Sequence, residues 1–145
     1  MSTAVDSANL LLRLYELRRD PTMREARNFM ISFDPKSASD YMATMMGPNS
    51  ASVRMVMSYW DMAAGFVVNG AIDAKMFDES NGEHIIAFGK IEPFLADLRQ
   101  MFGPNAFKNL EQVCLAAPGG IERVRQTRER MRQFAANRAS SAGQS

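Results

Sequence analysis

The stretch SVRMVMSYWDMAAGFVVNG, Ser52–Gly70, constrains the fold more than any other part of the chain. Placed on a helix it is apolar round most of its circumference, with polar exceptions at Arg54, Ser58 and Asp61. Spacings of four and three gather those exceptions into one narrow stripe. A helix apolar on most sides must be covered by neighbours. The pattern therefore predicts a long central helix near residues 50–69, ended by Asn69-Gly70 and surrounded by other helices.

The rest of the sequence supplies those neighbours. Asp20-Pro21 and Asp34-Pro35 each read as an N-cap followed by proline at the first helical position, where no amide hydrogen is needed. Gly47-Pro48, Asn81-Gly82, Gly103-Pro104 and Pro118-Gly119-Gly120 read as stops. Between these signals apolar residues recur at three and four, as in Met23, Ala26, Met30 and Phe33. The predicted helices lie near 7–19, 21–32, 36–46, 50–69, 73–80, 83–102, 105–117 and 121–137. Pro93 falls inside the sixth and predicts a kink, or else a break into two helices. No segment alternates with period two, so no sheet is expected. The fold class is all-α: a single-domain bundle of about seven to eight helices over residues 1–138. The small polar ending 139–145, ASSAGQS, is expected to be disordered.

Composition excludes several classes. At 145 residues the chain can bury a core without disulfide or metal staples. A net charge of +1 gives no overall drive toward nucleic acid or anionic lipid. The single cysteine, Cys114, allows no internal disulfide and sits in an apolar helical period, as a buried structural thiol does. Its solitude fits a reducing compartment, and the cytoplasm is the expected location. The N-terminus lacks a basic region before Leu10–Leu12 and does not read as a signal peptide. No apolar run is long enough for a membrane span.

Candidate chemistry is sparse. The stripe Arg54, Ser58, Asp61 is either the central helix's strip of solvent exposure or a polar row for a ligand or partner. If Asp61 is buried it needs a partner from another helix, with Arg99 or Arg13 as candidates. His84 has no Glu or Asp at ligand spacing and reads as a surface or capping residue. No metal site, cofactor motif or catalytic constellation emerges. The methionines Met42, Met45, Met46, Met55, Met57 and Met62 are expected to fill core. The last helix is the second informative feature. Residues 121–138 carry six arginines and two glutamates, a net +4, leaving the remainder at −3. Val124, Arg128, Met131 and Ala135 recur at four, three and four, with Ile121 and Phe134 adding to the apolar edge and Arg123, Arg125, Arg130 and Arg132 on its flanks. Such a helix packs on its own acidic domain or pairs with a second copy, lies solvated with a weak seam, or binds nucleic acid or anionic lipid through phosphate.

Three segments carry a family resemblance. LLRLYELRRDPTMREARNFM (Leu11–Met30), VMSYWDMAAGFVVNGAID (Val56–Asp73) and IIAFGKIEPFLADLR (Ile85–Arg99) resemble an uncharacterised bacterial all-helical family, a domain of unknown function, over about Asn9 to Cys114. The resemblance implies an all-helical fold and no catalytic residue. Many relatives look as if they carry an N-terminal membrane helix, which this sequence lacks. The expectation is a non-enzymatic helical binding or self-assembly module, homo-oligomeric in that its last helix has amphipathic surface to spare. The alternatives are a small-molecule or enzymatic bundle with its site at Arg54, Ser58 and Asp61, and weak nucleic-acid binding through the Arg-rich helix.

Overall fold

A computed structural model of the protein describes residues 2–143. Ser50–Val68 (α4) is the axis. Val53, Trp60, Ala63 and Ala64 on it are wholly buried. Two helices lie along it most closely, α2 (Pro21–Ser32) and α8 (Lys108–Ala116). α2 contributes Met23, Ala26 and Met30, the face that its three-and-four spacing specifies; α8 contributes Leu110 and Cys114. Gly65 sets the approach of α8: a Cβ there would stand 3.1 Å from the Asn109 amide nitrogen. α1 (Ala4–Arg18), α3 (Ala38–Met45) and α5 (Ala74–Ser80) complete this side.

The caps are partly those of the sequence. Asp20 accepts from the backbone N–H groups of Thr22 and Met23, with Pro21 in the first turn. Asp73 caps α5 through the Met76 N–H. Asp34-Pro35, however, does not open α3. Ser37 does, accepting from the Asp40 N–H, while the Asp34 carboxylate is held by Lys36 and Arg132.

α6 (Glu83–Ile91) is the second axis, with Ile85, Ala87, Phe88, Gly89 and Ile91 all buried. The helix expected over 83–102 is interrupted at Pro93 by a 3-10 turn, Glu92–Phe94, before α7 (Leu95–Phe102). The bend thus takes the form of a break. Proline 93 cannot donate to the carbonyl four residues back, that of Gly89. A buried carbonyl needs another donor. It finds one in Arg128 Nη1 at 3.0 Å.

Arg128 belongs to α9 (Gly120–Gly143), which crosses α6 with Val124 wholly buried. The turn into α9 uses Gly119 and Gly120, both at positive φ. α9 continues six residues beyond its expected end, so 139–143 are helical where disorder was expected. Ala139 and Ala142 favour extension once the helix is nucleated, and no breaker precedes Gly143. Residues 144–145 of that expectation lie outside the described residues. Among the described residues there is no strand, and no helix is long and apolar enough to cross a membrane.

Candidate functional site

The polar stripe of α4 divides. Arg54 and Ser58 are exposed; the Ser58 hydroxyl only donates to its own helix at Met55 O, 3.3 Å. Asp61 turns toward α8, where its Oδ1 accepts from the Leu110 N–H at 3.0 Å. Neither Arg99 nor Arg13 is its partner. Arg99 donates to Ala106 O and pairs with Glu111, fastening the turn before α8. Leu110 is the third residue of α8, whose own N-cap, Phe107, is left-handed (φ 57°) and offers no side-chain oxygen. An N-cap carboxylate normally takes that third N–H. Asp61 supplies the missing cap from another helix. The sequence could not reveal this, because the capping oxygen lies 49 residues away.

The arginines of α9 face inward onto carboxylates. Arg123 pairs with Asp78 at 2.6 Å, Arg128 with Glu92 at 3.1 Å, Arg125 with Glu92 at 3.7 Å and Arg132 with Asp34 at 3.1 Å. Arg130 is exposed and has no ion pair among the described residues. The basic segment therefore packs on its own acidic body, the first of the three expected arrangements.

Between α2, α4 and α6 sits a half-buried polar centre. Glu83 accepts from Trp60 Nε1 at 3.1 Å and from Arg27 through Nε at 2.9 Å and Nη2 at 2.8 Å. His84 beside it is wholly buried, contrary to its expected surface or capping role. Its ring lies 4.8 Å from that of Phe77 and 5.7 Å from that of Trp60. Among the described residues neither ring nitrogen has a hydrogen-bond partner; Nε2 is 3.9 Å from Asp78. Burial pushes its pKa down to about 4, partly offset by Asp78, with Arg123 adding to the fall. It is neutral at pH 7. The apolar run Ile85–Phe88 was the available sign that the start of α6 is enclosed. Cys114, buried as expected, lies 3.7 Å from the His84 carbonyl, and burial raises its thiol to about 12. No group of three or more His, Cys, Asp or Glu side chains that could hold a metal occurs among the described residues.

The most unusual surface is α1. Val5, Leu12 and Tyr15 are 69%, 62% and 54% exposed, and Leu10 and Leu17 are also exposed. Val5, Ala8, Leu12 and Tyr15 recur at three, four and three, the spacing of a coiled-coil seam. Beside them runs an open groove of about 370 Å3 between α1 and α5, lined by Leu11, Leu12, Tyr15, Arg18 and Met76. On α4, Met55, Met62 and Phe66 are exposed as well, as is Met46 after α3. Of the methionines expected in the core, Met57 alone is fully buried and Met42 and Met45 are half-buried. α1 escaped notice because helical spacing marks an apolar face without saying whether that face is covered.

A model of one protein family, described as a domain of unknown function (DUF4760), matches residues 3–116. The chain belongs to this family. The matched DUF4760 region runs from the cap of α1 to the end of α8, so α9 lies beyond it. No curated protein and no solved structure matches the chain.

Proposed function

We propose that this DUF4760 domain is a helical binding and self-assembly module, and that two copies associate through the α1 seam of Val5, Ala8, Leu12 and Tyr15. The observation that carries the reading is the exposure of Val5, Leu12 and Tyr15 on one face of one helix. Contiguous exposed apolar surface on a folded domain marks a place that a partner covers. Burying each such side chain is worth about 1.5–3 kcal/mol, so three from each copy offset an association cost on the order of 4–15 kcal/mol.

The charges favour a second copy as the occupant. α1 is acidic in its first turn, at Asp6, and net basic toward its end, where Arg13, Arg18 and the C-cap residue Arg19 outnumber Glu16. An antiparallel two-fold pairing sets the acidic start of one copy toward the basic end of the other, and opposes the helix dipoles. This moves the proposed interface from α9, whose arginines are engaged with their own domain, to α1. A reducing, cytoplasmic setting belongs to the same proposal and is supported by the single, buried thiol.

Light scattering over a concentration series tests the reading. Wild type is expected to be dimeric, Leu12→Glu monomeric, and Phe134→Glu, on the exposed edge of α9, still dimeric. A wild-type monomer at high concentration, or a Leu12→Glu protein that associates like wild type, overturns it.

A further inference from the structure

A second cleft lies on the opposite kind of surface, between α2, α6 and α9. It has a volume of about 330 Å3 and continues, past the shared residues Ile31, Ile86, Lys90 and Met131, into a small void of about 60 Å3. Its walls are apolar: Ile31 and Ile86 on one side, Met131, Ala135 and Ala139 of α9 on the other. Its polar lining is mostly cationic. Lys90, Arg128 and Arg132 line it against one carboxylate, Asp34.

Lys90 is the informative residue. It is only 8% exposed, yet it has no carboxylate within 4 Å among the described residues. Its Nζ donates to the Phe33 carbonyl at 2.7 Å. An ammonium has three donors, and this one has a single partner among the described residues. The neighbouring acid is already spent: Asp34 holds Lys36 at 2.6 Å and Arg132 at 3.1 Å. Burial lowers the Lys90 amine to about 8, with Asp34 opposing the fall and Arg132 adding to it, so it remains largely protonated at neutral pH. A buried cation with donors unspent, on the wall of a largely apolar cleft, lacks an anion.

From this we infer that the α2–α6–α9 cleft binds a small amphipathic monocarboxylate, its carboxylate on Lys90 and its apolar tail along Ile31, Ile86, Met131 and Ala135. One ammonium and a narrow apolar channel suit a monoanion with a tail; a phosphate would call for several free donors, and the nearby guanidiniums are engaged by Glu92, Gly89 O and Asp34. Half of the cleft comes from α9, outside the DUF4760 region, so the site belongs to the domain together with its appended helix. The inference is independent of assembly through α1.

Octanoate is the probe, compared with octanol, which has the same tail without charge, and acetate, which has the charge without the tail. Wild type is expected to bind octanoate alone with a raised melting temperature, and to show shifted methyl resonances at Ile31, Ile86 and Met131 with none at Leu12. Lys90→Met, close in shape and free of the charge, should bind octanoate about ten- to a hundredfold more weakly, the worth of a charge-assisted hydrogen bond. Ala135→Phe fills the channel while keeping Lys90 and should also lose binding, which covers the case that Lys90→Met does not fold. Equal protection by octanol, unchanged octanoate affinity in a folded Lys90→Met, or shifts confined to α1 overturn the inference.

Discussion

At the scale of single residues, His84 has the clearest consequence. It is buried without a hydrogen-bond partner among the described residues, and its pKa falls from the ordinary 6.5 to about 4 because charging it would strip a cation of water. Unfolded chains therefore bind a proton between pH 6.5 and 4 that the folded domain refuses. Stability conferred by the neutral ring is fully present above pH 6.5 and is lost as pH falls toward 4. The size follows from 1.36 kcal/mol per unit: about 3 kcal/mol across that window. His84→Phe removes the titrating group from an aromatic niche. Urea unfolding at several pH values should show a shallower acid limb than in wild type, whatever the change at pH 7. An unaltered limb would mean that other groups set the acid sensitivity.

At the scale of elements, the bundle is held by two long-range replacements for local hydrogen bonds. Asp61 on α4 caps α8, and Arg128 on α9 satisfies the Gly89 carbonyl that Pro93 leaves without a donor. Asp61→Ala should cost about 1 kcal/mol, within the usual 0.5–2 kcal/mol for a lost cap. Amide exchange at Leu110 should rise before exchange elsewhere in α8. Ser58→Ala, one turn earlier on the exposed strip, should stay within about 0.5 kcal/mol of wild type. This contrast also marks what the sequence can tell. The helices, the axis at Ser50–Val68 and the Asp20 cap follow from local spacing and turn chemistry, which the sequence displays directly. The destination of Asp61, the burial of His84 and the exposure of Leu12 depend on which helix lies alongside. Periodicity gives a helix its faces and leaves their partners unstated. The same holds for Lys90: in IIAFGKIEPF it reads as one polar residue of a helical turn, and the packing of neighbouring helices encloses it.

At the scale of the whole molecule, α9 is a basic clasp on an acidic body, and the question is which force seats it. Four arginines make ion pairs, but their side chains remain between 16% and 54% exposed. Pairs of that kind are worth about 0–1 kcal/mol each and weaken with salt. Val124 is wholly buried against α6, and truncating such a side chain forfeits about 2 kcal/mol in transfer and cavity terms. The apolar contact should therefore dominate. Hydrogen exchange across α9 should accelerate far more in Val124→Ala than in Arg132→Gln, and raising salt should mimic the second variant rather than the first. Since the DUF4760 region ends at Ala116 and holds α4 with its closest neighbours α2 and α8, α9 should also open without the rest. In wild type its amides should exchange at a lower free energy than those of α4. Equal protection of α4 and α9 would make the appended helix part of one cooperative core, and the cleft it roofs over Lys90 would then open only with global unfolding.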